Sequence, residues 1–442
     1  MMGVFWACAT VLLAVAAPAD KVSLRPAAKA GDLSHATIEL KAAGTYKPAV
    51  APGAPAAPAL ALKVETRLEF DDRVAEVARD GSPRLAVRQV SRAGATINGE
   101  IRPSSSSLRP EMTTLVAERK DGQVTVHSAG GPLTRSELEL VQGPGDPLAL
   151  ADLLPPAPVA VGERWTVGAD AARSLSGYDA LAANTLEATL EAATEATATV
   201  RLLGSIRGAA LGGEGNMACE GSFTFDRAAH RVATLSLRRA ETRAPGPIEA
   251  GLDVKSTLDV AIAATPTTGI LADDGLVGRA MAPAPGRDLL QFNAPDGKYS
   301  LLHDRNWHLY WDDPRQVVLK RLDRGELVAQ ANLMAGPDAG KGKHQDPEQF
   351  REDVRKALGP RFEAIVGQGE VGGVAAGNYR YKVSARGKQG DAAILWHYYL
   401  IASPAGDQII ATFTLGQAQE KAFGDQDLLL IGSLEWKMPA AR

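Results

Sequence analysis

Within the eleven positions 303–313 the sequence gathers His303, Asp304, His308, Asp312 and Asp313, with Trp307, Tyr310 and Trp311 among them. Two imidazoles and a carboxylate form a ligand set for zinc or iron, and a metal-bound water would make a hydrolase. The spacing argues against that chemistry. A histidine at a strand end and another five positions later in a loop do not share the single helical face that paired metal-binding histidines use. Structural roles are therefore expected for these groups, with no catalytic residue, no cofactor and no metal ligand. His303, Trp307, His308, Tyr310 and Trp311 stand as the candidate binding residues, and the large aromatics are expected chiefly to seal one end of a sandwich.

Other apparent motifs dissolve on the same test. Gly367-Gln-Gly369-Glu-Val-Gly372 matches a dinucleotide fingerprint, but the residues after it re-enter a strand instead of starting the helix that would receive a pyrophosphate. Gly336 to Lys341 imitates a phosphate loop with one residue too few, and Gly342 stands where a Ser or Thr should hold magnesium. There is no G-x-S-x-G and no H-E-x-x-H, and Cys219 has no histidine near it in sequence from which a nucleophile could be argued. His127, at a strand end with no second ligand nearby, reads as a surface or strand-end residue rather than a metal ligand. A non-enzymatic binding or assembly protein is the expectation.

The chain has 442 residues, with 48 basic and 52 acidic side chains and a net charge of −4. Nucleic acid is disfavoured as a partner, because neutralising phosphates requires a basic surplus. Residues Val4 to Ala17 form an apolar run too short to span a bilayer, and Ala17-Pro18-Ala19 suits a leader cleavage site. Residues 1–19 are expected to be a signal peptide, with retention as an N-terminal anchor the alternative. Cleavage would leave Cys219 as the sole cysteine, no integral membrane span, and a periplasmic or extracellular location.

The elements that must position any site divide into two stretches. Residues 20–264 contain an Ala/Pro-rich segment at 41–61, expected to be a linker or loop, and then many strands. Leu62 to Phe70 alternates apolar and polar residues, Asp121-Gly122 joins two further strands, and Asp226 to His230 reads as a hairpin turn. Thr134 and Glu137 form a capping box, and Asp146-Pro147 starts a second short helix. The order LTRSELELV, LPPAPVAVGERWTV, GSFTFDRAAHRVATLSLRRAE resembles a family of uncharacterised, secreted, β-rich bacterial proteins. That resemblance implies export and a large antiparallel sheet, and brings no catalytic residue with it. A curved sheet of this kind could enclose an apolar cavity.

Residues 265–288, rich in Pro and Gly, are expected to link to a second domain at 289–442. There Asp346 caps a helix that begins with Pro347, is closed by Gln349 as a capping box, and buries Phe350, Val354, Ala357 and Leu358. Ile394 to Ile401 and Gln408 to Leu415 form a hairpin, and Asp425 caps a last helix with Leu428, Leu430, Ile431 and Leu434 inward and Ser433 outward. The order KYSLLHDRNWHLYW, DPEQFREDVRKAL, NYRYKVSARG, AILWHYYLIASPAGDQIIATFTL, FGDQDLLLIGSLEW resembles the PsbP/DcrB-like fold family. The resemblance implies an α+β fold, an antiparallel sheet flanked by helices, and a binding or assembly role. The expected fold class is thus α+β. The expected function is that of an exported binding module whose partner is another envelope protein or an apolar ligand carried in the N-terminal sheet. A hydrolase built on the 303–313 cluster comes last.

Overall fold

In the computed structural model of the protein, residues 20–48, 58–100, 103–265, 269–282, 286–372 and 378–437 are described. The apolar leader lies outside them.

The first meander is β1 (Leu33–Lys47), β2 (Leu60–Val77), β3 (Pro83–Gly99), β4 (Ser104–Ser107), β5 (Thr114–Lys120) and β6 (Gln123–Ser128). Three short helices follow, α1 (Arg135–Val141), α2 (Pro147–Leu150) and α3 (Ala169–Ser176), with β7 (Arg164–Thr166) before the third. The second meander is β8 (Ala180–Asn184), β9 (Glu187–Ala193), β10 (Thr197–Ala210), β11 (Gly213–Asp226), β12 (Arg231–Arg243) and β13 (Gly251–Ala264). All pairings are antiparallel, and β1 joins the two meanders by lying between β2 and β13 in a single 13-stranded sheet.

Period-two alternation decides which face of this sheet is covered. On β2, Leu68 and Phe70 are buried, whereas Lys63 and Glu65 point to solvent. The buried face packs on α1 to α3 through Leu138, Leu148, Leu150, Ala172 and Leu175, so the concavity is occupied by core rather than left hollow. Thr134 and Glu137 do form the capping box of α1, and Glu137 also binds Arg109.

After β13, α4 (Asp274–Met281) docks Val277 and Ala280 on Val87 and Val116, on the other face of the sheet. The segment expected as a plain linker therefore carries a packed helix. A small sheet follows, of β14 (Leu290–Asn293), β15 (Tyr299–His303) and the terminal β23 (Glu435–Trp436), and Leu133 bridges to Leu290. A seven-stranded sheet contains β16 (Trp307–Asp313), β17 (Gln316–Asp323), β18 (Glu326–Ala335), β19 (Phe362–Glu370), β20 (Tyr379–Gln389), β21 (Ala392–Ala402) and β22 (Gln408–Gly416). Helix α5 (Pro347–Leu358) covers one face through Phe350, Val354 and Leu358; α6 (Glu420–Phe423) and α7 (Gln426–Gly432) cover the other through Phe423, Leu430 and Ile431.

Several expectations are corrected. The fold is not α+β: 55% of the described residues are strand and 17% helical, in three antiparallel sheets, so the described part is β-rich. The helices are too short to make layers, α5 with its 12 residues being the longest. Lys41 to Lys47, expected in a linker, continue β1, because β13 and β2 supply backbone partners on both sides. Asp346 caps α5, but Gln349 turns to Asp353 instead of closing the box, and Ala357 is exposed. On α7, Leu428 is not part of the inward stripe; Asp427 takes that place. Ser433 is not a free outer position, since its hydroxyl accepts from the Leu302 N–H at 2.9 Å. His127 lies at the end of β6, where it is buried rather than at the surface.

Candidate functional site

The residues between 303 and 313 do not converge on one point. Trp307 is 1% exposed and meets Phe413 and Phe423 edge-on, with centroids 6.0 and 6.4 Å apart, so it belongs to the core. His303 is buried with Nδ1 2.7 Å from the Asp304 carbonyl, and burial lowers both His303 and His308 to about 4. Tyr310 and Trp311 are 45% and 58% exposed on β16, an edge strand, and the Lys320 ammonium lies 3.2 Å from the Tyr310 ring centroid. Asp304 pairs with Arg321 at 3.1 Å and Asp313 caps the Arg315 N–H at 2.9 Å. Among the described residues no group of three His, Cys, Asp or Glu side chains is placed to hold a metal ion.

A polar constellation that sequence reasoning missed lies under α7. Asp427 Oδ2 accepts hydrogen bonds from Lys382 Nζ at 2.7 Å, His397 Nδ1 at 2.5 Å and Tyr399 Oη at 2.7 Å. Burial alone would raise this carboxyl; the hydrogen bonds from His397 and Lys382, with the Lys382 charge, hold it well below the usual carboxylate range. An Asp–His pair invites comparison with a catalytic dyad, but among the described residues the His397 ring makes no hydrogen bond to a hydroxyl or thiol, its partner being Asp427. Cys219 is in the other sheet, buried, its thiol pushed up to about 11 by burial. The arrangement fastens α7 to β20 and β21.

The concavity best suited to a ligand is a trough of about 580 Å³ on the exposed face of the 13-stranded sheet, crossing β10, β11, β12, β13, β1 and β2. Cross-strand register defines it as two rows. In one, Ala218 faces Ala240, Ala240 faces Lys255, Lys255 faces Ala43, and Ala43 faces Lys63. In the other, Leu203, Glu220, Arg238, Thr257, Lys41 and Glu65 follow one another. Ala218 and Ala240 in adjacent outward positions, with Ala43 on the far side of Lys255, leave a shallow floor where longer side chains would fill the space. Leu203 is 50% exposed at one end of it. Two glycines flank the floor where neighbouring backbones come unusually close: a Cβ on Gly44 would stand 2.1 Å from the Asp253 carbonyl oxygen, and one on Gly204 2.3 Å from that of Thr185. Such contacts let long strands bend.

The rim carries Lys41, Lys63, Lys255 and Arg238 against Glu65 and Glu220. Lys63 pairs with Glu65 at 2.7 Å and Lys41 with Glu39 at 3.6 Å. Among the described residues Lys255 and Arg238 have no carboxylate within ion-pairing distance. The trough thus joins an apolar floor to uncommitted positive charge. Its signal in the sequence was faint, because Ala43 lies in the stretch read as a linker and Ala218 and Ala240 look like ordinary strand alanines.

No protein-family model matches the chain. No curated protein matches it either. Among solved structures, a Bacteroides thetaiotaomicron VPI-5482 protein aligns at 12% identity over 34% of this chain and 49% of its own, with a TM-score of 0.25. Lipovitellin, from a structure concerned with lipid–protein interactions, aligns at 7% identity over 56% of this chain and 26% of its own, with a TM-score of 0.28. The translocator domain of the autotransporter NalP from Neisseria meningitidis aligns at 7% identity over 88% of each chain, with a TM-score of 0.14. The chain spans about half the length of the first and about a quarter of the second. At these scores the likeness assigns neither fold nor function. No helix among the described residues is long and apolar enough to cross a membrane.

Proposed function

We propose that the protein is an exported, non-enzymatic binding module of the bacterial cell envelope that holds an anionic amphiphile, an acyl chain with an acidic head, in the trough of its 13-stranded sheet. The observation that carries this reading is the union of the alanines with Lys255 in their row and Arg238 in the row beside it. Each buried methylene of an acyl chain contributes about 0.8 kcal/mol, and a head group of opposite sign gives the chain a direction. The volume falls in the range of about 300–1,000 Å³ common to small-molecule sites.

The test is titration with a dansyl-labelled long-chain fatty acid. Saturable enhancement is expected, reduced at least tenfold in affinity by Ala240→Glu and by the pair Lys255→Glu with Arg238→Glu. A remote charge reversal, Lys356→Glu on α5, should leave it unchanged. Equal binding by all variants would discard the trough as the site.

A second reading, an assembly module for another envelope protein, is favoured by Tyr310 and Trp311 on their edge strand. Site-specific photocrosslinking from position 311 in cells should then capture one protein of defined mass, and a ladder of unspecific products would remove that reading.

A further inference from the structure

The same sheet holds a second cleft on its covered face, of about 480 Å³, between the segment leading into β1, helix α2 and the turn joining β11 to β12. Part of its wall is apolar, with Leu33, Val74, Leu150, Leu154 and Ile262. Asp72 also lines it, 4% exposed, and its Oδ1 has no hydrogen-bond partner.

The neighbouring cation does not satisfy that carboxylate. Arg88 spends both terminal nitrogens on Asp146, Nη1 to Oδ2 and Nη2 to Oδ1, each at 2.7 Å, and stacks on the Phe70 ring with its central carbon 4.5 Å from the centroid. Asp146 is held in turn by the Leu148 N–H at 2.9 Å. Asp72 approaches Arg88 only through Oδ2, 3.5 Å from Nε. One guanidinium thus faces two carboxylates, and the surplus negative charge is buried on Asp72, a residue that lines the cleft. An unpaired buried carboxylate is costly, and a ligand of opposite charge offsets that cost.

We infer that this cleft binds a small organic cation, an ammonium group on an apolar body, whose N–H donates to the Asp72 carboxylate while its hydrocarbon lies against Leu150, Leu154 and Ile262. The site is distinct from the trough in place, in charge preference and in ligand class. Burial pushes Asp72 up to about 6 against the pull of Arg88, with Asp146 adding to the rise, so the empty cleft relieves its charge by protonation in mild acid. The other charged groups around the cleft are Lys29 and Asp32 on the leading segment and His230 and Arg231 on the β11–β12 turn.

The experiment is calorimetric titration of the full chain with n-hexylammonium, n-hexanol and n-hexanoate at pH 7.5 and pH 5.0. Hexylammonium should bind one-to-one at pH 7.5, at least tenfold more tightly than hexanol, with hexanoate silent, and should weaken at pH 5.0. Asp72→Asn should abolish the preference for ammonium over alcohol while leaving hexanol binding in place. His230→Gln should retain the pH effect. Leu154→Trp, which fills the cleft without touching the charges, should block all binding and serves if the Asn variant fails to fold. Equal affinity for hexanol and hexylammonium, an unchanged preference in Asp72→Asn, or a pH effect lost with His230 would each overturn the assignment.

Discussion

Replacing Asp427 by Asn removes one charge and almost no volume from the most heavily hydrogen-bonded carboxylate of the C-terminal sheet. The native Oδ2 accepts from Lys382, His397 and Tyr399 together, and the side chain is buried. Hydrogen bonds to a charged group are each worth about 1.5–3 kcal/mol, but three donors on one oxygen do not add. Breaking a buried ion pair by removing one partner costs about 3–5 kcal/mol, and we expect a loss in that range, a large share of a domain stability of about 5–15 kcal/mol. Urea unfolding followed by tryptophan emission reads it directly, because Trp307 packs on Phe423 of α6 and Phe423 also meets His397. The pH dependence gives an independent check. The folded Asp427 carboxyl lies below its unfolded value of about 3.9, so its contribution is present above that value and is lost as pH falls through the folded one. Wild type should therefore lose stability below about pH 4 more steeply than Asp427→Asn. A variant within 1 kcal/mol of wild type at pH 7, with a parallel acid profile, would refute the account of α7 as fastened by this carboxylate.

Leu430→Asp should cost several kcal/mol by burying an unpaired charge, whereas Leu429→Asp one position earlier, where the native side chain is 65% exposed, should cost no more than about 0.5 kcal/mol; denaturant midpoints compare them. Ser433→Ala should lose about 1 kcal/mol by releasing the hydroxyl that ties α7 to Leu302, measured in the same way. His303 is held neutral by burial, its folded value of about 4 lying below the unfolded one near 6.5. The unfolded chain therefore takes up the proton first as pH falls through that window. Wild type should lose roughly 2 kcal/mol at this site between pH 7 and pH 5, and His303→Gln should be correspondingly flatter over the same interval. Asp72 works in the opposite direction. Because its folded value is raised to about 6, Asp72→Asn should be more stable than wild type by up to about 3 kcal/mol above pH 6, with the difference shrinking toward pH 4.

Local grammar was legible where a short segment determines its own conformation. The hairpin at β21 and β22, the proline-led start of α5 after Asp346, and the box of Thr134 and Glu137 all depend on residues within a few positions of one another. What could not be read depends on partners distant in sequence. Ala42-Ala43-Gly44 has little intrinsic strand preference, and its conformation comes from pairing with Val254 to Ser256 of β13, far along the chain. Asp427 looked like the polar side of an amphipathic helix, because Lys382, His397 and Tyr399 approach it only after β20 and β21 have paired. Asp72 in Glu-Phe-Asp-Asp-Arg has the look of a surface acid, and only the antiparallel register sets it opposite Arg88. The aromatic cluster was half legible: Trp307 seals a core as its size suggests, but the bulge between Leu309 and Trp311 turns the following aromatics out to solvent.

The position of β1 bears on how the chain reaches its native state. This early strand lies inside the 13-stranded sheet, and on its β13 side Ser34 pairs with Ala264. Until β13 has been made, the two meanders are separate sheets, each with a long unpaired edge on the side where they will meet. Closing that seam is a contact of very high sequence separation, of the kind that makes β-topologies slow to fold and open to wrong strand pairing. A chain crossing a membrane in an extended state and folding on the far side would expose both edges at once. Single substitutions that weaken the β1–β13 seam should therefore appear first as aggregation and low yield during production, before any change is seen in the equilibrium stability of molecules that have already closed.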